Sequence, residues 1–510
     1  MTDREVESHS EVALESSDSV SADRRTVVKG IAAAGLGAGV ALPTYLRGFD
    51  YSAAAYGAQT SAPVKMGFIE DESGNLSVYG IQKLHAAQLA VSEINDGKTL
   101  KGAPDIGAGV LGAAASIAKN PPVISKDGTS LAIVDDGGDK SPVDLAYVED
   151  AEILIDSGEK GILGRELKLL SSDGQSNNAV WQQLARKLIQ EDKVDVLVAG
   201  FASAEREAIR PIVDQFKQLY FYTNQYEGGV ADANTFCTGP VCEQQVIPTV
   251  QYMVEKFGPK CYTIAADYNF GQLTAAWTKA FIPLVSGKII GEEFIPLSVS
   301  EFSQVIARIQ AAKPDWVMTL LVGQNHHNYY PQAAAAGLKY PMASTVNMAQ
   351  GYEHKRFAPP SLARMHNAIQ YQLEVPTARN RAFVKRWMTM FPDDPYIGEM
   401  AQNTYFTIHL YAKAARLAHT VDQQKVKRCL EMGWTIEAPE GSVFLEPGTH
   451  HCAHPIRLAY CDEKHNVRFV RDWPMIQAWW LQRLGVNLIR TPEFKQYTPD
   501  EDPYFKMFAL

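Results

Sequence analysis

Cysteine is scarce, positive charge is in deficit and no long apolar run exists. Six cysteines among 510 residues cannot make a disulfide scaffold. There are 58 acidic and 48 basic side chains, so the chain carries a net −10 and offers no electrostatic footprint for nucleic acid. The mildest candidate for a membrane span, the Ala/Gly/Leu stretch ending at Leu42, falls far short of the roughly 20 apolar residues a spanning helix needs. No Ser-His-Asp constellation, Walker loop or metalloprotease motif occurs. "GLGAG" at Gly35 to Gly39 precedes no strand–helix unit that could bind a nucleotide. Glu70 and Asp71 are adjacent carboxylates, but no nucleophile or matched base accompanies them, so a solvated or structural role is expected. "THHCAHP", Thr449 to Pro455, gathers three histidines and a cysteine at a spacing that matches no standard zinc site. The expectation is a protein that is not an enzyme and uses no metal or cofactor.

What is present begins with residues 1–58. Residues 1–23 are polar, acidic and aperiodic, which predicts disorder. Residues 1–57 hold eight acids and five bases, a net of −3, which leaves −7 for the rest. "DRRTVVKG", Asp23 to Gly30, then places Arg24 and Arg25 before Val27, Val28 and Lys29. This resembles a twin-arginine export signal, with small residues at Ala53 to Ala55 and Gly57-Ala58 for cleavage. The resemblance implies a twin-arginine translocase as partner and a protein that folds before export.

From Val64 onward, strands alternate with helices. "VKMGFI", "LKLLSS", "VDVLVAG" and "LYFYT" read as buried strands. The helices between them are expected near 79–95, 180–190 and 204–216. The pattern resumes with helices near 244–257, 273–284, 302–312 and 328–336, separated by "CYTIAA", Lys288 to Ile295 and "WVMTLLV". Such alternation predicts parallel sheets covered on both faces, and the number of strands predicts two α/β lobes. Residues 98–162, rich in Gly, Ala, Asp and Pro, read as an insertion with some helix near 142–157. After 398 a long helix, a shorter one at Gln423 to Met432 and three β segments follow. The tail from 472 is expected to wrap the surface.

Open parallel sheets bind ligands at the carboxyl ends of their strands. Four such ends carry unusual groups: "EDESGNLSVYG" from Glu70, "GFASAER" from Gly200, "LYFYTNQYEGG" from Leu219 and "AADYNFGQ" from Ala265. The Gly200 segment also opens a helix, whose free N–H groups suit a polar ligand atom. Tyr222 and Tyr226 taken alone read as strand-end packing; among four converging loops they read as pocket walls.

Together "SGNLSVYG", "GFASAEREAIRPIV", "FYTNQYEGG", "TGPVCEQQ", "ADYNFG", "QAAAAGL", "RAFVKRW" and "APEGSVFLEPGTHH" resemble the type I periplasmic binding proteins, and within them the urea and short-chain-amide group. The resemblance covers 62–97 and 163–470. It implies two doubly wound parallel-sheet lobes joined by three hinge crossings, near Gly239, Gln370 and Trp434. The lobes would be 62–240 plus 371–433, and 241–370 plus 434–471, with 472–510 as an extension. It implies ligand contacts at Ser73, Gly74, Phe201, Ser203, Ala204, Tyr222, Asn224, Tyr226, Glu227, Tyr268 and Phe270. Phe201 and Phe270 stand where relatives commonly carry tyrosine.

The implied function is capture of urea or a short amide outside the cytoplasm, in the periplasm, and delivery to an ABC permease. A sensor subunit for a membrane receptor and a binding protein for another solute, such as a branched-chain amino acid, remain open; an amide-hydrolysing enzyme on the same ligand ranks below them.

Overall fold

A computed structural model describes residues 61–104, 123–124, 131–132 and 152–506. The twin-arginine segment and most of the 98–162 insertion lie outside the described residues.

Strand Val64–Glu70 is buried along its length except at Lys65 and is an inner strand of a five-stranded sheet whose centre is Val196–Ala199. Its apolar run is near-continuous rather than alternating because helices cover both faces. It pairs in parallel with Leu167–Asp173 on one side and Val196–Ala199 on the other; Tyr220–Tyr222 and Thr235–Cys237 extend the latter side. Local signals fix the covering helices. Asn177 accepts from the N–H groups of Ala179 and Val180 and so caps Asn178–Arg186. Helix Ser77–Asn95 approaches the strand end so closely that a Cβ on Gly80 would lie 2.2 Å from the Asp71 carbonyl oxygen. Only glycine fits there.

The second sheet has a parallel half ordered Lys288–Ile295, Lys260–Ala266, Trp316–Leu320, Met342–Ala343 and Met365–Ile369. It then turns antiparallel through Cys452–Cys461, Gly441–Leu445, Trp434–Ala438 and Gly102–Pro104. Strand Val467–Ile476 pairs with Cys452–Cys461 as a branch. Short strands Thr235–Cys237, Met342–Ala343 and Met365–Ile369 have too few residues to show a period, and the sequence reading passed over them. The chain passes between the sheets after Cys237, after Ile369 and before Trp434. Between the last two, helix Glu399–Ala418 packs along Ser77–Asn95.

The insertion departs from expectation at its far root. Residues 154–156 are a strand, not a helix, and pair antiparallel with Lys98–Leu100. The remainder of the expected helix, 142–151, lies outside the described residues. Near the C-terminus, Trp480, Leu481 and Phe505 join the core around Trp277 and Phe281. Strand Phe494–Gln496 pairs with Val230–Asp232 beside the first sheet. The tail is thus an integral packing element. No described helix is long and apolar enough to cross a membrane.

Candidate functional site

Five parallel strands from the two sheets end at one cavity. From the first sheet, the segment after Ala199 contributes Phe201, Ala202 and Ser203, and the segment at Tyr222 contributes Tyr222, Asn224 and Gln225. From the second, Tyr268 and Phe270 follow Lys260–Ala266, Val322 follows Trp316–Leu320, and Val346 and Gln350 follow Met342–Ala343. The cavity encloses about 230 Å³ counting its open mouth, of which only about 10 Å³ admits the centre of a water-sized body. In this conformation it holds about one water.

Two helices begin here, Ser203–Phe216 and Asn269–Phe281. A first helical turn leaves N–H groups without intrahelical acceptors. Glu205 Oε2 reaches back to accept from Phe201 and Ala202 at 3.0 and 2.8 Å. The Ser203 N–H, first in its helix, is left at the cavity wall. The Phe201 carbonyl accepts from Tyr222 Oη at 2.6 Å and Asn224 Nδ2 at 2.7 Å, so it is withdrawn from a ligand. Phe201 is further held by Tyr79, whose ring stacks on it at 4.0 Å and 5°.

Ser203 does not cap its helix: Ala202 occupies the cap position, and the Ser203 hydroxyl donates to Glu227 Oε2 at 2.6 Å. Its proton is therefore committed, and Oγ, which also accepts from Arg206 Nη1 at 3.5 Å, has one lone pair left to face a ligand as an acceptor. Glu227 does not line the cavity. Its other oxygen is 2.7 Å from Arg206 Nη2 in a fully buried pair. Arg206 lies over the rings of Tyr222 and Tyr226 at 5.0 and 4.5 Å. Tyr226 is likewise turned away. Thr449 O accepts from His451 Nδ1 at 2.7 Å, which leaves Nε2 to accept the Tyr226 hydroxyl at 2.5 Å. Burial pushes His451 down to about 4, which keeps it neutral in that role.

Ser73 and Gly74 are exposed and off the cavity. Ser73 Oγ donates to Asp173 at 2.6 Å, and Gly74 takes a positive φ of 85° in that turn. Ala204 is on the second helical position and does not line the cavity either. Ala204, Tyr226 and Glu227 sit one or two residues beyond a cavity-lining position, where the next side chain points into the lobe, whereas Ser73 and Gly74 belong to an exposed turn held by Asp173. Ala202, Gln225, Val322, Val346 and Gln350 line the cavity and were not expected. Gln350 and Val346 lie in "STVNMAQG", which carries no periodic signal to mark it.

The adjacent carboxylates are structural. Glu70 pairs with Lys83, and burial pushes its carboxyl up to about 7. Asp71 accepts from Ser176 N at 2.7 Å and Trp181 Nε1 at 3.2 Å. The histidines of "THHCAHP" pair separately, His450 with Glu431 and His454 with Glu440, and no group able to hold a metal exists among the described residues. All six cysteines are buried and free.

Two facing α/β sheets with a polar cavity at their strand ends define a binding protein of the type I fold. Residues 63–466 match the periplasmic binding protein family, and the chain belongs to it. Among solved structures it is similar to a solute binding protein of an ABC transporter from Rhodopseudomonas palustris BisB5, in complex with 3,4-dihydroxybenzoic acid. The two are 18% identical with a TM-score of 0.61, over 82% of this chain and 98% of that one. An ABC transporter substrate-binding protein from Sphaerobacter thermophilus matches at 16% identity and 0.61, over 81% and 98%. A branched-chain amino acid transporter substrate binding protein from Streptococcus pneumoniae, in complex with isoleucine, matches at 15% and 0.60, over 81% and 99%.

Proposed function

We propose that this protein captures a small neutral polar solute, urea or a short-chain amide, between its lobes and delivers it to an ABC permease. The observation that carries the reading is the lining itself: aromatic, aliphatic, hydroxyl and carboxamide groups, with no charged side chain. Aromatic walls exclude water, and a few fixed polar groups read orientation. An amide carbonyl suits the Ser203 N–H, and amide N–H groups suit Ser203 Oγ. Four heavy atoms require less parting of the lobes than a benzoate ring with its carboxylate.

The mechanism is capture, closure about the crossings near Gly239, Gln370 and Trp434, and docking of the closed form. The lobes are 62–240 plus 371–433, and 241–370 plus 434–471. The paired arginines near the N-terminus support export by the twin-arginine route to the periplasm.

The second reading is an amino acid. Two helix N-termini at the cavity favour its carboxylate. No lining residue offers an acid to its ammonium, and Glu227 is already satisfied by Arg206. Calorimetry of the mature protein against urea, formamide, acetamide, leucine and benzoate tests the choice. Urea binding is expected no tighter than tens of micromolar, because four heavy atoms gain at most about 6 kcal/mol. Tyr222→Ala and Ser203→Ala are expected to weaken it, and unchanged affinity in both folded variants refutes the pocket. Binding of leucine or benzoate with none of the amides refutes the substrate class. Ammonia released on incubation with an amide would make the protein a hydrolase.

A further inference from the structure

Gln350 has one side-chain atom without a use. Its Nε2 donates to Glu399 Oε1 at 2.6 Å and to Asn224 Oδ1 at 3.1 Å. Turning the carboxamide over would set its oxygen against two acceptors, so its orientation is fixed by its neighbours. The remaining atom, Oε1, is buried and has no donor partner, although the residue is 0% exposed and lines the cavity. A buried acceptor left unmatched costs about 1–3 kcal/mol, so the site is incomplete without a donor.

We propose that Gln350 Oε1 is a specificity-determining contact that requires the bound solute to present an N–H donor, and that Glu399 is the positioning residue that holds it in that sense. This rests on the amide reading above and deepens it. With Ser203 Oγ already an acceptor, the cavity presents acceptors on both lobes. The selected class is a primary amide or urea carrying at least two N–H bonds; esters and fully N-methylated amides are rejected.

Glu399 opens helix Glu399–Ala418 and also accepts from Gln370 Nε2 and Asn403 Nδ2, both at 2.7 Å. The remaining groups that face it are the Gln225 backbone N–H and, at longer range, the Glu440 carboxylate. Burial pushes the Glu399 carboxyl up to about 7. Once protonated, one of its two oxygens becomes a donor set against amide N–H groups while the other still accepts, so the hold on Gln350 is weakened. Solute affinity therefore falls as pH drops below about 7, although urea and acetamide do not titrate there.

The test is calorimetry on the mature full chain with urea, acetamide, N-methylacetamide and N,N-dimethylacetamide at pH 6 and 8. In the unaltered protein, acetamide is expected to bind at least ~10-fold more tightly than its dimethyl analogue, the value of one unmatched donor–acceptor pair. Gln350→Met keeps the length and removes the acceptor; acetamide affinity is expected to fall ~10-fold or more and the preference over the dimethyl analogue to shrink. Glu399→Gln is expected to lower affinity and flatten the pH profile, which a purely structural role would not do. The methylated series needs no variant, so misfolding of either variant leaves the inference testable. Equal binding of acetamide and its dimethyl analogue overturns it. So does acetamide binding by folded Gln350→Met at unaltered affinity; in both cases the amide reading survives. Binding of no amide or urea at all overturns the reading and the inference together.

Discussion

Arg206 Nη2 lies 2.7 Å from Glu227 Oε1, and the two side chains are 0% and 1% exposed. The pair sits directly behind Ser203 and braces it. Arg206 Nε also pairs with the partly exposed Glu207 at 2.9 Å, so removing Glu227 takes one of two partners from a buried charge, at a cost of up to about 3–5 kcal/mol. Glu227→Ala is therefore expected to lower stability by that order. The measurement is guanidinium denaturation, since urea is the proposed ligand. A loss below about 1 kcal/mol would show that Glu207 alone satisfies Arg206 and that the brace is not the Glu227 carboxylate.

Gly80→Ala forces a Cβ to within 2.2 Å of the Asp71 carbonyl oxygen, backbone against backbone. Relief requires the helix or the strand end to shift, an overpacking cost of about 1–3 kcal/mol. The adjacent Tyr79 stacks on Phe201, so solute affinity is expected to fall together with melting temperature. A variant that melts like the parent would mean that the approach of helix to strand is looser than described.

Trp480 is 1% exposed, meets Trp277 edge-on at 4.7 Å and donates its indole N–H to Asp502 at 2.8 Å. Trp480→Ala is expected to cost about 3–5 kcal/mol in denaturation, the range for a fully buried large aromatic. Trp277 in turn donates to the Glu227 carbonyl at 2.8 Å, so near-ultraviolet circular dichroism should report disturbance beyond the tail. Near-parental stability would place the C-terminal segment outside the cooperative core.

Glu243 accepts from the Trp480 backbone N–H at 3.1 Å, and burial pushes its carboxyl from 4.5 up to about 7. A raised carboxyl is protonated in the fold while the unfolded chain has already ionised. Its destabilising contribution is absent below about 4.5, grows as pH rises and is complete above about 7. Glu243→Gln carries no such contribution. The stability of the variant relative to the parent is expected to rise between pH 4.5 and 7, by up to about 3 kcal/mol. Denaturation at pH 5 and pH 8 measures it; a difference independent of pH would sink the assignment.

Most of the long helices and strands were legible because each announces itself within a dozen residues, whereas the short strands Thr235–Cys237 and Met342–Ala343 did not. Residues 64–69 form an apolar run broken only by Lys65, and 203–216 repeats at helical spacing. The strand-end rule then marked the segments holding Phe201, Ser203, Tyr222, Asn224, Tyr268 and Phe270, all of which line the cavity. Tyr226 and Glu227 were marked by the same rule and face elsewhere. Their partners, His451 and Arg206, compete for them, and no local pattern reveals that competition. Strand Leu154–Asp156 pairs with Lys98–Leu100 across the insertion, a contact equally invisible to local periodicity.

By itself the sequence determined an α/β chain whose polar aromatic segments fall at strand ends, because burial periodicity depends only on neighbours two to four positions away. The tertiary structure decided which of those side chains face the cavity and which are consumed by one another. It also brought Gln350 against Asn224, 126 residues earlier, and against Glu399. Hydrogen-bond pairing over that distance follows from strand order and lobe crossings, and those exist only once the chain has folded.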